Sequence, residues 1–331
     1  MRILVDAMGG DLAPDEIVKG AVHAQRELGA EIVLVGQRAA IETCLRNEQA
    51  ELEIIDASEV ITMDDDPSTA TRRKKDASMT VALNLLRDGK GDAVVSAGST
   101  GALIMGGTFF VKRIRGVSRA ALAAIAPTDK GPFMLIDSGA NVECRPDMLL
   151  QFAHMGSLYM TAVMNQGRPA TVGLLNVGTE DHKGGELQHE AFALLKESGL
   201  HFVGNVEARD VPLGVVDVLV ADGFSGNVLL KTMEGTADML MLNLKRVFFS
   251  SLKTKLGALL VKGGIGKLKE KVSTASYGGA PLLGLTKPVI KTHGNAKAEA
   301  VKHAIRVAAQ FAGEGVIEKI TAAVKKDETK A

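Results

Sequence analysis

Cysteine is scarce in this chain. Cys44 and Cys144 stand far apart with no C-x-x-C spacing, which excludes a disulfide framework and a cysteine zinc cluster and suits a reducing compartment. Neither has a histidine close in sequence, so a thiol nucleophile finds no evident base. An excess of one charge is missing too. The 39 Lys+Arg balance 39 Asp+Glu, so no coat for nucleic acid is expected. No stretch reaches the roughly 18 apolar residues of a membrane span. Met1-Arg2-Ile3-Leu4-Val5-Asp6 meets an acid too early for a signal peptide. The motifs G-x-S-x-G, H-E-x-x-H and G-x-x-x-x-G-K-(S/T) do not occur, and no G-x-G-x-x-G follows the first apolar run, which removes support for a standard dinucleotide fold. His182 and His189 read as surface residues. No metal or cofactor is expected.

What is present is an ordinary soluble composition, 46% hydrophobic and 24% charged, in a strongly alternating order. Strands are expected at 2–6, 31–35, 52–56, 92–96, 120–125, 133–137, 171–176, 200–204, 215–221 and 287–291. Helical patterns lie at 14–28, 37–47, 78–88, 101–113, 146–164, 186–197 and 296–312. That alternation predicts an α/β fold whose largely parallel sheet is covered by helices on both faces. The length allows one large domain or two. The reading adopted is one α/β domain, 1–331, with a helical excursion at about 233–272.

One fourteen-residue pattern occurs twice. Residues 92–105 read D-A-V-V-S-A-G-S-T-G-A-L-I-M and residues 217–230 read D-V-L-V-A-D-G-F-S-G-N-V-L-L. Each is a buried strand, a glycine turn with a hydroxyl, and the start of a helix. Such a turn aims backbone N–H groups at one spot and suits an anion. The duplication predicts two facing anion cradles in one crevice. Similar turns, a polar residue with glycine, follow other strands at Asp6–Asp11, Asp137–Asn141, Asn176–Glu180 and His293–Asn295. Six such turns are expected along one edge of the sheet, beyond the strands' carboxyl ends, where ligands of parallel sheets bind.

The excursion departs from this alternation. Leu252, Leu256, Leu259 and Leu260 form an apolar stripe at helical spacing, flanked by Lys253, Lys255 and Lys262. Lys245 and Arg246 precede it, and Ile265, Leu268 and Val272 continue it beside Lys267, Lys269 and Lys271. From Leu242 to Val272 there are eight Lys/Arg and one acid, Glu270. The segment suits an anionic membrane surface or an acidic partner, or else a dimerising hairpin with solvated lysines.

The chemistry left open is that of anion-binding turns plus a cation. Lys183, between a strand and a helix, is either a point charge for phosphate or a solvated loop residue. Asn141 and Asn227 either donate to an oxyanion or cap helices. Asp6, Asp137 and Asp222 either orient donors or cap. Arg72-Arg73-Lys74-Lys75, after Asp64-Asp65-Asp66-Pro67, either binds an anion or complements the dipole of one short helix.

The turns themselves are recognisable. D-A-M-G-G-D at 6–11, R-R-K-K at 72–75, S-A-G-S-T-G-A-L at 96–103, L-L-N-V-G-T-E-D-H-K-G at 174–184, G-N-V-E-A-R-D at 204–210, D-G-F-S-G-N-V at 222–228 and Y-G-G-A-P-L-L-G-L at 277–285 resemble, in order, the bacterial PlsX family of phosphate acyltransferases of phospholipid synthesis. The resemblance runs from residue 1 to about 310; the Lys- and Glu-rich tail carries no signature. It implies transfer of a long-chain acyl group from acyl carrier protein to inorganic phosphate, giving acyl phosphate. It also implies a Rossmann-like three-layer α/β/α sandwich related to isopropylmalate-dehydrogenase-like and phosphotransacetylase folds. A cytoplasmic homodimer, bound peripherally to the inner face of the cell membrane, is implied as well, with the downstream glycerol-phosphate acyltransferase as a further partner.

Under that reading Lys183, with the backbone of Gly178 and Thr179, holds phosphate. Asn227 and the turn Asp222, Gly223, Ser225 and Gly226 face the reacting centre. Gly98, Ser99, Thr100 and Gly101 form the opposite wall, Asn141 and His293 complete the rim, and His293 returns a proton to the leaving thiolate. Lys245, Arg246, Lys253, Lys255, Leu256, Leu259, Leu260 and Lys262 meet the membrane or the carrier protein. The alternatives are an acyl-coenzyme A phosphotransacylase, an isopropylmalate-type dehydrogenase binding NAD, and a membrane scaffold without enzyme activity.

Overall fold

A computed structural model of the chain describes residues 1–165, 167–272 and 277–328. Its strands are β1 (Arg2–Asp6), β2 (Glu31–Gly36), β3 (Glu53–Asp56), β4 (Ala93–Ser96), β5 (Ala121–Thr128), β6 (Gly131–Ile136), β7 (Val172–Asn176), β8 (Phe202–Glu207), β9 (Val218–Val220), β10 (Ala280–Leu283) and β11 (Val289–Lys291). They form one 11-stranded sheet in the order β3-β2-β1-β4-β11-β10-β5-β6-β9-β7-β8. The helices are α1 (Asp15–Leu28), α2 (Arg38–Asn47), α3 (Ala70–Arg73), α4 (Ser78–Arg87), α5 (Thr100–Gly106), α6 (Pro146–Tyr159), α7 (Glu186–Glu197), α8 (Gly223–Phe248), α9 (Leu252–Val272), α10 (Ala298–Gly313) and α11 (Val316–Glu328). A π-helical turn, Gly107–Val111, prolongs α5.

The local causes are ordinary. Helix α1 has Asp15 and Glu16 in its first turn, buries Ile17, Val18, Ala21 and Val22 at helical spacing, and stops at Gly29 with φ 62°, a left-handed angle that glycine adopts freely. The parallel strands β1 and β4 are buried almost throughout, as both faces of their sheet are covered.

Strand β5 shows how the layers divide. Ala121, Ala123 and Ile125 face a single continuous core under α1, α2, α6, α7, α10 and α11. On the other face the core is split. Leu122 joins Leu83, Leu103, Leu282 and Val289 under α3, α4 and α5, whereas Ala124 and Ala126 join Phe133, Leu135, Leu219 and Leu230 beneath α8. Ala280 packs against both blocks, so a seam runs between them over β10.

Two sequence expectations need correction. Strand β10 lies in the 277–285 segment where no strand was expected, and it pairs antiparallel with both β11 and β5. Its short A-P-L-L run carries no periodicity. The six turns also do not share one edge. Because β5 turns back into β6 antiparallel, and β9, β7 and β8 follow β6 in parallel, half of the sheet runs opposite to β1, β4 and β11. The turns after β1, β4 and β11 form one set and those after β6, β7 and β9 another. The registers keep the two sets at nearly one level. Ser96 pairs with Lys291 and Lys291 with Ala280, while Asp137 binds Leu122, the partner of Leu282. Two residues separate those levels along β10, about 7 Å.

Candidate active site

The first set of turns is built on two buried charges. The Asp6 carboxylate, at the end of β1, accepts from Ser78 Oγ and Ser96 Oγ at 2.6 Å each and from the Met8 amide at 3.3 Å. Burial raises its pKa, opposed by those donors. Lys291, 9% exposed, donates to the carbonyls of Ala97 and Thr292. Burial pushes its pKa down to about 8, with Asp6 and Asp11 pulling upward and Lys231 adding to the depression. The Gly98 amide is held by Ser96 Oγ, and Ser99 caps α5 through Ala102 N. The amides of Ser99, Thr100 and Gly101 donate to nothing among the described residues. This copy of the duplicated turn is therefore an open set of N–H donors. Close approach also explains Gly9, where a Cβ would lie 2.7 Å from Gly98 N.

The second copy is closed. The Asp137 carboxylate collects the amides of Leu122, Gly139, Ala140 and Asn141. Gly223 N donates to Asn141 O, Gly226 N to Asp222 O, and Ser225 N to Asp222 Oδ1. Ser225 Oγ is bound to Asp222 as well. Asp222 thus caps α8, the second of the two roles open to it. The pair of turns is not two like cradles, because Asp222 takes the amides of Ser225 and Gly226, whose counterparts Thr100 and Gly101 stay free in the first copy. Asn141 also changes role. Its amide nitrogen donates to Ala120 O and Asp137 Oδ2, both at 2.9 Å, so it braces the turn and has no N–H left for an oxyanion. Asn227 does: it is exposed on the first turns of α8, its Cγ 3.5 Å from where a Gly139 Cβ would stand, with no side-chain hydrogen bond among the described residues.

The third turn follows β7. Leu174 pairs with Val220, so Asn176 and Asp222 leave adjacent strands at the same level. Asn176 binds Lys183 O, and Asn205 binds Glu180 O; these two amides fold the loop. Lys183 then lays its stem over Gly178, whose Cβ would lie 2.9 Å from Lys183 Cγ. Its ammonium is half-exposed and 4.0 Å from Glu180, too loose a pairing to hold it from an anion. Thr179 is exposed beside it.

Helix α8 links the sets. From Asn227 it rises about 10 Å to Glu234, whose Oε1 lies 3.4 Å from His293 Nε2. Burial, with Lys231 and Lys291 nearby, holds the His293 pKa below 6.5, against the pull of Glu234. The lowered pKa favours the neutral ring, which suits a proton acceptor at the start of a reaction. Glu234 and Lys291 were missed in the sequence. Glu234 sits within a helical pattern, and Lys291 ends a short apolar run, where a lysine reads as an exposed strand end rather than a buried cation.

The remaining candidates lie elsewhere. Lys74 pairs with Asp65 at 2.7 Å and Arg72 stacks 4.4 Å over Phe109, so these two of the four basic residues have partners nearby. His189 binds the His182 carbonyl. Burial raises Cys44 to about 11 and Cys144 to about 12, and neither is a thiolate at neutral pH. Lys245, Arg246, Lys253, Lys255, Leu256, Leu259 and Lys262 are exposed on α8 and α9, with Leu252 at 80% and Leu260 at 87%. The side chains of Lys267, Lys269, Lys271 and Val272 lie outside the described residues. Among those described, no helix is long and apolar enough to cross a membrane.

The architecture is that of phosphotransacetylases and their structural relatives. A phosphotransacetylase from Streptococcus pyogenes superposes with a TM-score of 0.64 over 94% of each chain at 16% identity. A putative 4-hydroxythreonine-4-phosphate dehydrogenase from Salmonella typhimurium gives 0.52, covering 94% of this chain and 99% of that one at 14% identity. A family model described as fatty acid synthesis protein matches residues 1–319, and the chain belongs to that family. Relatives that carry the name phosphate acyltransferase include the following two. One, from Brevibacillus brevis, is 51% identical over 330 residues, 99% of this chain and 98% of its own. The other, from Oceanobacillus iheyensis, is 50% identical over 326 residues, 98% of each.

Proposed function

We propose that this chain is a phosphate acyltransferase that moves a long-chain acyl group from acyl carrier protein to inorganic phosphate. The end-to-end likeness, at about half identity, to relatives of that name carries the reading, and the residues of the site suit it. Phosphate is largely ionised near neutral pH, as a phosphoserine with its second pKa of about 6 shows, so it needs holding and orienting more than activation. Lys183, with the Gly178 and Thr179 backbone, holds it. The free amides at Ser99, Thr100 and Gly101 supply the opposite wall, and Asn227 meets the thioester oxygen as charge develops. Positioning is worth roughly 7–11 kcal/mol in well-oriented systems, and one oxyanion donor roughly 3–4 kcal/mol. His293 completes the rim.

The exposed apolar and cationic face of α8 and α9 takes an anionic membrane surface, with Lys245, Arg246, Lys253, Lys255 and Lys262 flanking Leu256, Leu259 and Leu260. The same charges steer an acidic carrier protein. A homodimer, and contact with the acyltransferase that consumes the product, belong to this reading.

The test is direct. Purified protein is mixed with long-chain acyl carrier protein, with and without inorganic phosphate, and the mixed anhydride is trapped with hydroxylamine. Phosphate-dependent trapping supports the assignment; thioester loss indifferent to phosphate refutes it. The same assay with acyl-coenzyme A separates the two donors.

A further inference from the structure

The Glu234 carboxylate reaches across the seam. Glu234 projects from α8, the helix that carries Asn227, and His293 follows β11 on the other side. Glu234 is unusual on its helix, because its side chain is 18% exposed while most of α8 beyond it lies open to solvent. One oxygen, Oε2, binds Lys231 Nζ at 2.8 Å. The other, Oε1, is buried without a hydrogen bond among the described residues and lies 3.4 Å from His293 Nε2. The histidine turn is itself fixed, since the next carbonyl, Gly294 O, accepts from Asp11 N at 2.7 Å. His293 Nδ1 makes no hydrogen bond among the described residues.

We propose that Glu234 is a positioning residue for His293, and that the ring relays a proton from hydrogenphosphate to the departing sulfur. This rests on the acyl-transfer reading above. A carboxylate facing Nε2 favours the tautomer with its proton there, which leaves the Nδ1 lone pair free as a base. As a hydrogenphosphate oxygen forms the C–O bond, its O–H proton passes to Nδ1. The electron pair of the breaking C–S bond stays on sulfur, and Nδ1 then returns the proton to that thiolate. The products are acyl phosphate and free thiol, with His293 neutral again. Glu234 offsets the transient imidazolium, which Lys231 from α8 and Lys291 from β11 both disfavour and which Asp11, beside Gly294, favours. A histidine that starts neutral is suited to this order of events.

Full-length protein with isotope-labelled histidine tests the pair by NMR, the His293 signal being assigned through its loss in His293→Gln. In Glu234→Gln the His293 pKa falls further, with the upward pull of the carboxylate gone, and the Nε2–H tautomer loses its preference. Acyl transfer at pH 7 then drops roughly 10- to 100-fold in kcat, with KM for phosphate and thioester within about threefold, and Glu234→Asp recovers part of it. The acidic limb of the kcat profile moves with the measured His293 pKa. An unchanged tautomer and titration in Glu234→Gln, or an unchanged kcat, overturns the proposal. If the wild type makes no acyl phosphate, the transfer reading and the relay both fail, while the titration shift still decides whether Glu234 positions the ring.

Discussion

Two glycines on one helix allow a sharp comparison. A Cβ on Gly226 would lie 2.0 Å from the Asp137 carbonyl oxygen, whereas one on Gly235 meets nothing within 4 Å. The Asp137 carbonyl cannot retreat easily, because the carboxylate of the same residue gathers the amides of Leu122, Ala140 and Asn141. Gly226→Ala must therefore push α8 off the turn, at the upper end of overpacking costs, about 3 kcal/mol. The displaced helix start carries Asn227, and a misplacement of about 1 Å at a reacting centre costs on the order of 100-fold in rate. Gly235→Ala removes a flexible residue from a helix interior and gains about 0.5–1 kcal/mol. Urea unfolding of both variants at pH 7.5, beside the acyl phosphate assay, checks this. Equal midpoints for the two would show that α8 does not seat on the Asp137 turn as described.

Lys183→Ala is expected to cut transfer by at least about 100-fold through lost phosphate positioning with the unfolding midpoint unchanged, since its side chain is half-exposed and loosely paired; retained turnover refutes its role. Charge reversal at Lys253, Lys255 and Lys262 should abolish co-sedimentation with anionic vesicles and leave transfer in detergent intact, and unaltered sedimentation would count against the α8–α9 surface. Lys291 gives a pH signature. Its folded pKa of about 8 lies below the roughly 10.4 of an unfolded lysine, so between those values the unfolded chain binds the extra proton and stability rises with pH, by up to about 3 kcal/mol. Lys291→Met should lose that rise, seen as a smaller gain in urea midpoint from pH 7.5 to pH 10; parallel gains would refute the buried ammonium.

Legibility followed the range of the forces. Strands such as Ala93–Ser96 and helices such as α1 announce themselves through local burial patterns, caps and charges. The glycine turns do too, since each depends on neighbouring residues. Strand β10 did not, for four residues have no period and its place between β11 and β5 is decided by pairing across the chain. The larger error, the direction of β6, β9, β7 and β8, came from the antiparallel turn of β5 into β6, since two neighbouring apolar runs do not report which way the second one lies. Glu234 was hidden for a related reason: its partner lies 59 residues away, and no helical pattern reports which exposed-looking carboxylate will be buried.

The duplicated turn explains why resemblance between segments did not mean equal roles. Both copies place a hydroxyl between glycines at a helix start, yet position 97 is alanine where position 222 is aspartate. With alanine there, no carboxylate competes for the amides that follow, and those of Ser99 to Gly101 stay open. With aspartate, the side chain folds onto Ser225 N and Oγ and closes the copy. The two single substitutions should therefore act differently. Ala97→Asp places a carboxylate beside the open amides, where it competes with phosphate by occupancy and by charge, so KM for phosphate should rise about tenfold or more for the roughly 1–2 kcal/mol that a cap is worth. Asp222→Ala should instead lower the unfolding free energy by about that amount without creating a second phosphate site. A variant Ala97→Asp with unchanged KM would mean that phosphate never visits the first turn.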